Sequence, residues 1–169
     1  MEERFVLSIL VENNPGVLSR VSGLFSRRGY SIDSLSVGKT TEENISRMTV
    51  VARGDEYVLD QIQSQLSKLV EVIEIIRLPK DDSVYRELVL IKVSADAKTR
   101  GEIISIADVF RANVIDVAPE SLIIEATGDI NKINGLVAMI KGFNIVEIVR
   151  TGLCGMLRGV NDFDIDSKN

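Results

Sequence analysis

Residues 5–29 read FVLSILVENNPGVLSRVSGLFSRRG, and this stretch contains the first two expected elements of the chain. Its first seven residues carry apolar side chains at every second position, as in a strand with a buried face. Asn14 then predicts a helix N-cap and Pro15 the first helical position, where a missing N–H costs nothing. Apolar residues recur at helical spacing up to Gly29, which predicts the end of the helix. The stretch therefore predicts a strand followed by an amphipathic helix.

Four more elements follow before the pattern breaks at Pro79–Ser83. A polar strand at 30–40 and another strand at 45–53 precede Asp55, which can cap a second amphipathic helix. A fourth strand occupies 70–78. This order is that of a ferredoxin-like βαββαβ unit of about 80 residues, with antiparallel sheet order 4-1-3-2 and both helices on one face.

The same order of elements repeats after the break. Thr99 and Glu102 stand three residues apart before an apolar stripe, which predicts a capping box at a helix start. Asp129 predicts the cap of the last helix, and the final strand is expected to end at Arg150. We therefore expect an α+β protein with two ferredoxin-like βαββαβ domains. The expected organisation is a first domain at 1–78, a linker at 79–83, a second domain at 84–159 and a disordered tail at 160–169.

The composition excludes several classes of function. The 169 residues include no histidine, which excludes a Ser-His-Asp triad and an imidazole base. The single cysteine, Cys154, cannot form an internal disulfide or a thiolate metal site, and we expect it to be a small apolar structural residue. A net charge of −5 and 5% aromatic residues argue against a nucleic-acid partner. Without a signal peptide or a run of about 20 apolar residues, the chain is expected to be cytoplasmic, with no membrane contact.

The turn between the first strand and the first helix offers a ligand site. The first N–H groups of a helix lack partners and lie at the positive end of its dipole, so those of Gly16, Val17 and Leu18 can hold a carboxylate. The amide of Asn13 can accept a hydrogen bond from an ammonium group. Val17, Leu18 and Ile32 are expected to form apolar walls, so that a small α-amino acid meets all three demands. From spacing alone, an ordinary helix-start turn is the better interpretation.

The second strand of each unit lies at a sheet edge, where it can pair with another chain. We expect a homodimer in which the first-domain sheets join edge to edge and the partner's strand closes the pocket. The alternative is that Ser31, Ser34 and their polar neighbours solvate the edge of a monomer. A hydrolase that uses Arg20 with Asn13 is a further alternative, but the polar flank of the helix favours a solvent-facing Arg20.

Motifs spread over residues 3–159 closely resemble the small regulatory subunit of acetohydroxyacid synthase, also called acetolactate synthase. The N-terminal half resembles an ACT domain, which is the amino-acid-sensing version of the ferredoxin-like fold. The motifs include NxPGVLSRVxGLFxRRGYxI from Asn13, SLxVG from Ser34, SRMTV from Ser46, FRAxVIDV from Phe110 and IVRTG from Ile148.

The resemblance implies a noncatalytic chain that serves a separate large subunit. That subunit would hold thiamine diphosphate, FAD and Mg²⁺ and condense two pyruvates to acetolactate, or pyruvate with 2-oxobutyrate. The small subunit would raise this activity and confer feedback inhibition by valine in branched-chain amino-acid biosynthesis.

The resemblance also implies where valine binds, namely between two ACT domains. The ligand positions of the family fall on Asn13, on Gly16 and on position 31, where Ser31 replaces an asparagine. This is the loop that the residues themselves single out, and the agreement favours the ligand site over the ordinary turn. We expect no cofactor, metal or catalytic residue on this chain. The predicted valine site comprises Asn13, Gly16, Val17, Leu18, Ser31 and Ile32.

Three other functions stay open at the level of the sequence. The chain can be a tandem ACT-type amino-acid sensor for a different enzyme or regulator. It can be an acylphosphatase-like hydrolase, which would turn over substrate alone. Two RNA-binding domains of the same topology are disfavoured by the acidic charge and the few aromatic residues.

Overall fold

The computed structural model describes residues 3–159. They form the predicted α+β architecture, in which the ferredoxin-like order of strands and helices occurs twice. The tail at 160–169, expected to be disordered, lies outside the described residues. The elements are β1 (Glu3–Glu12), α1 (Val17–Arg27), β2 (Ile32–Lys39), β3 (Ile45–Gly54), α2 (Glu56–Leu66), β4 (Val72–Arg77), β5 (Ser83–Ser94), α3 (Arg100–Val109), β6 (Asn113–Ala118), β7 (Ser121–Gly128), α4 (Ile130–Ile140), a 3₁₀ turn (Lys141–Phe143), β8 (Ile145–Arg150) and β9 (Cys154–Leu157).

The chain divides into two compact units between Val84 and Tyr85. Residues 155–159, which the sequence analysis placed in the second domain, group with the first unit. The N–H of Arg158 donates to the carbonyl oxygen of Asp82 at 2.8 Å, which ties this segment to the residues just before β5.

The sheet of the first unit has the predicted order, β2-β3-β1-β4, and each neighbouring pair is antiparallel. The pairing of β1 with β3 runs without a break from Glu3 opposite Gly54 to Glu12 opposite Ile45. Helices α1 and α2 pack on one face of this sheet, because alternate residues of β1 and β3 share a buried core with the apolar faces of both helices. The fully buried members of this core include Leu7, Ile9, Val21, Phe25, Val50, Ile62 and Leu66.

The sheet of the second unit repeats this arrangement with the order β6-β7-β5-β8. Helices α3 and α4 cover one face of it through a second apolar core. Each unit contains one of the two predicted aspartate caps. In the first, Asp55 accepts a hydrogen bond from the N–H of Val58, and in the second, Asp129 accepts one from the N–H of Lys132, each at 2.9 Å. Gly29 ends α1 with a φ of 71°, which confirms its predicted role as helix stop.

A ninth strand was not predicted, because the segment after Arg150 is rich in glycine. The strand predicted to end at Arg150 does end there, but the prediction that it is the final strand is wrong: β9 follows and pairs with β5. Gly152, with a φ of 81°, supplies the left-handed residue that the turn between β8 and β9 requires. Cys154 lies in β9 and is exposed, whereas the sequence analysis expected a small apolar structural residue.

Candidate functional site

The predicted site lies on the loop between β1 and α1, residues 13–16, which we call loop 13–16. Helix α1 begins at Val17, and its N-cap is Gly16 rather than Asn14. The predicted helix start is wrong because Asn14 makes other contacts: its side chain donates to the Glu12 carboxylate at 2.8 Å, and its carbonyl oxygen accepts from the Val17 N–H at 3.3 Å. Gly16 has a φ of 87°, where residues with a Cβ are strained.

The start of α1 is open. Gly16 supplies no side chain to cap the helix, and a Cβ built on it would meet no atom within 4 Å. Within residues 3–159, no oxygen accepts a hydrogen bond from the N–H groups of Gly16, Leu18 or Ser19. These donors lie at the positive end of the helix dipole, so the loop can hold a carboxylate.

The apolar side chains predicted for the site have different positions. Val17 is 3% exposed and belongs to the core, so it is no wall of an open pocket. Leu18 is 43% exposed and stands beside the open N–H groups. Ile32 is half-buried against the core at the start of β2. Leu18 is therefore the apolar contact that the start of α1 offers to a ligand.

Asn13 is held by the turn between β2 and β3. Its backbone N–H donates to the carbonyl oxygen of Asn44 at 2.6 Å, and its side-chain amide donates to that of Glu43 at 3.4 Å. The side-chain oxygen of Asn13 accepts no hydrogen bond from any described residue. An acceptor for an ammonium group thus stands next to the donors that suit a carboxylate.

Ser31 lies at the other end of the sheet from Asn13. Its carbonyl oxygen accepts a hydrogen bond from the N–H of Arg53. The next residue, Ile32, begins β2 and pairs with Ala52 of β3, and Ala52 also pairs with Phe5 of β1. Asn13 follows the last residue of β1. Seven residues of extended strand, roughly 23 Å at 3.3 Å per residue, separate Phe5 from that end. A single chain therefore does not bring the two predicted halves of the site together.

Arg20 faces solvent, as the sequence analysis expects. Its side chain is 57% exposed and forms an ion pair with the carboxylate of Glu71, which is 15% exposed. The residues that the structure describes contain no cluster of three or more possible metal ligands. None of the helices within residues 3–159 is both long and apolar enough to span a bilayer.

The corresponding loop of the second unit, between β5 and α3, contains a carboxylate that binds the backbone of the loop itself. Asp96 accepts hydrogen bonds from the N–H groups of Thr99 and Lys98, each at 2.8 Å, and from the Thr99 hydroxyl at 3.0 Å. These hydrogen bonds, led by those from Thr99, lower the pKa of Asp96. Thr99 is the N-cap of α3, but the predicted capping box is wrong because its hydroxyl is bonded to Asp96.

A cavity of about 580 Å³ lies beside this second loop. Its lining includes two carboxylates, those of Asp96 and Glu120, and no lysine or arginine. The cavity is therefore unsuited to an anion. The two loops occupy the same place in the repeat and differ in charge: loop 13–16 contains no acidic residue, whereas the second loop carries Asp96, whose carboxylate binds the N–H groups of Lys98 and Thr99.

The fold of the first unit, with its open helix start, matches a class of regulatory domain, the ACT domain. A family model described as AHAS small subunit-like ACT domain matches residues 7–74, and one described as small subunit of acetolactate synthase matches residues 86–159. The chain therefore belongs to the family of acetolactate synthase small subunits. This confirms the resemblance seen in the sequence.

Proteins of known name and structure agree with this assignment. The chain is 52% identical over 153 residues to the acetolactate synthase small subunit of Mycolicibacterium smegmatis, a match that covers 90% of each chain. It is 50% identical over 153 residues to that of Mycobacterium leprae, again with 90% of each chain covered. The crystal structure of the acetolactate synthase small subunit from Thermotoga maritima superimposes with a TM-score of 0.88 at 36% identity, covering 94% of this chain and 99% of that one.

Proposed function

We propose that this chain is the regulatory subunit that activates acetolactate synthase and makes it sensitive to feedback inhibition by valine. Membership of the small-subunit family implies association with a catalytic large subunit. In this proposal the large subunit holds thiamine diphosphate, FAD and Mg²⁺, and the complex lies in the cytoplasm. The match of the second unit to the same family favours this role over that of a tandem sensor for a different enzyme.

The observation that supports a sensor is the open start of α1. The free N–H groups of Leu18 and Ser19 and the positive helix end suit a carboxylate, and the side-chain oxygen of Asn13 suits an ammonium group. Leu18 adds an exposed aliphatic surface. A free aliphatic amino acid presents these three features together, whereas an inorganic anion presents only the first.

The site is completed in this proposal by a second copy of the chain. Strand β2 is an edge strand. Its last residue, Lys39, pairs with Ser46 of β3, and Ser46 pairs with Val11 of β1, so this end of β2 lies at the same end of the sheet as loop 13–16. Antiparallel pairing of two β2 strands about a two-fold axis would place the start of one strand beside the end of the other. Ser31 of the partner subunit would then lie at the loop 13–16 end of the joined sheet.

Valine would act by favouring one arrangement of this dimer. Its carboxylate would bind the start of α1 in one protomer, and its ammonium group would lie between Asn13 and the partner's Ser31. Inhibition then requires only that valine bind more tightly to one of two dimer arrangements. A coupling of about 1–3 kcal/mol would change activity about 5- to 150-fold. Isoleucine and leucine, which differ from valine by one methylene, should act at higher concentration.

A pair of substitutions at one position tests the placement of the carboxylate. Gly16→Asp would put a negative charge beside the free N–H groups, whereas Gly16→Asn has nearly the same size and tolerates the same left-handed backbone. Both variants should still activate the large subunit. In titrations of the reconstituted enzyme, Gly16→Asp should lose valine inhibition and Gly16→Asn should retain more of it. Full valine sensitivity in Gly16→Asp would show that the carboxylate binds elsewhere.

A further inference from the structure

Glu71 contacts both flanks of loop 13–16. It lies immediately before β4, and its carbonyl oxygen accepts from the N–H of Glu12 at 2.9 Å, just before the loop. Its carboxylate forms the ion pair with Arg20, one turn after the loop. One residue therefore fixes the end of β1 with its backbone and the start of α1 with its side chain.

The connection from Arg20 to the open N–H groups is short. The backbone N–H of Arg20 donates to the carbonyl oxygen of Gly16 at 3.0 Å, which makes Arg20 part of the first turn of α1. A displacement of Arg20 would move the donors of Leu18 and Ser19 with it, because all three belong to the same rigid turn. Hydrogen bonds to a carboxylate depend steeply on direction, so such a displacement would weaken them.

The burial of Glu71 distinguishes this pair from an ordinary surface ion pair. The Glu71 side chain is 15% exposed, whereas both partners of the Arg77–Glu56 pair in the same unit are exposed, at 42% and 65%. An exposed pair contributes little to structure, because water solvates both charges. A largely buried carboxylate that lost its arginine would have to reach water or another donor, and the start of α1 would shift.

We propose that Glu71, acting through Arg20, is a positioning residue that sets the affinity of the first unit for its amino-acid effector. It does so by holding the start of α1 against β1 and does not contact the effector. This inference rests on the proposed function, since it concerns the same site. It adds a residue more than 50 positions away from loop 13–16 to those that determine the response.

Calorimetry on the purified full chain with valine tests this role. Glu71→Gln keeps the shape of the side chain and removes its charge, and it should weaken valine binding about 3- to 30-fold. Arg20→Gln should weaken it similarly. The charge-swapped double variant Arg20→Glu/Glu71→Arg should recover part of the loss. Glu56→Gln, which removes a carboxylate from the exposed pair, is the matched control and should bind valine like the wild type.

The sign of the Glu71→Gln effect separates positioning from direct contact. If Arg20 itself bound the effector's carboxylate, removal of the Glu71 charge would release the arginine and tighten binding, and that result would overturn the proposal. Unchanged affinity in Glu71→Gln, with a wild type that binds, would overturn it as well. Absence of valine binding by the wild type would instead remove the proposed sensor function, and the inference with it.

Folding of the variants is monitored independently. Each variant should retain a cooperative thermal transition and activate the large subunit to the wild-type maximum, while the valine concentration for half inhibition rises. If Glu71→Gln does not fold, Arg20→Gln tests the same pair from the exposed side. A loss of activation in parallel with the loss of valine binding in both variants would indicate a merely structural role and overturn the proposal.

Discussion

Arg150 donates two hydrogen bonds to the carboxylate of Glu87, at 2.7 and 3.2 Å, and joins the end of β8 to the adjacent strand β5. The Glu87 side chain is 7% exposed, and Arg150 makes a third hydrogen bond, to the side-chain oxygen of Asn134 on α4, at 3.1 Å. One guanidinium thus connects two strands and a helix of the second unit.

Arg150→Ala should lower the free energy of unfolding of the second unit by about 3 kcal/mol, since it leaves a buried carboxylate without its partner. The exposed pair Lys92–Glu147 offers a matched control, because Lys92→Ala removes an ion pair from the same sheet that should be worth less than about 1 kcal/mol. Urea unfolding followed by circular dichroism measures both. Equal losses of unfolding free energy in the two variants would show that burial of Glu87 does not account for the contribution of Arg150 to stability.

The sequence predicts those features that are determined locally. The caps at Asp55 and Asp129 and the stop at Gly29 were predicted, because a short polar side chain or a glycine at a helix end acts on neighbouring residues. The start of α1 was missed because Asn14 and Gly16 both suit an N-cap, and the choice depends on the contact of Asn14 with Glu12.

Features that depend on pairing over long sequence distances could not be predicted in this way. The two-residue shift of the helix start replaces the N–H of Val17, which donates to the carbonyl oxygen of Asn14, by that of Ser19 among the open donors. Val17 faces the core, while Leu18 is exposed. The separation of Ser31 from Asn13 becomes visible only through the registers of β2, β3 and β1. Strand β9 exists because its backbone groups pair with β5, a contact that a glycine-rich sequence does not signal.

Val17 and Leu18 are neighbours that should respond oppositely to truncation. Val17→Ala should cost about 2 kcal/mol of stability, because it opens a cavity in the core of the first unit. Leu18→Ala should change stability by less than about 0.5 kcal/mol and weaken valine binding roughly fivefold. Thermal unfolding measures the stability of the two variants, and calorimetry measures their affinity for valine. If Leu18→Ala binds valine normally, the aliphatic contact lies elsewhere.

The edge strand β2 offers a test of the dimer. Val37 is 47% exposed and lies two residues before the end of β2, and Val37→Lys should raise the dimer dissociation constant about tenfold or more by placing two like charges at the joined edge. Valine binding should weaken with it. Val70→Lys is the control, since Val70 is 90% exposed in the same unit but outside this strand. Sedimentation at several protein concentrations measures the dimer dissociation constant. An unchanged constant in Val37→Lys would show that the dimer forms through a different surface.

Asp96 should make the second unit sensitive to acid. Hydrogen bonds from Thr99 and Lys98 lower the pKa of Asp96 in the folded state below the ordinary value of 3.8. The ionised carboxylate therefore stabilises the folded state at pH values above 3.8, and this contribution is lost as the pH falls through the lowered pKa. Asp96→Asn cannot ionise and should be less stable than the wild type near pH 6. Unfolding curves between about pH 2 and pH 6 should converge at the acid end. A stability difference that is the same at all these pH values would exclude the carboxylate as its source.

Ser31 should limit how tightly valine binds, since its hydroxyl reaches less far than the asparagine that the resemblance implies at this position. In the proposed dimer the residue faces loop 13–16 of the partner, so Ser31→Asn should strengthen valine binding, by about three- to tenfold for one added hydrogen bond. Ser36→Asn, on the same edge strand but further along it, should leave affinity unchanged. Calorimetry on the two variants decides the matter, and a Ser31→Asn chain with unaltered affinity would mean that position 31 does not reach the effector.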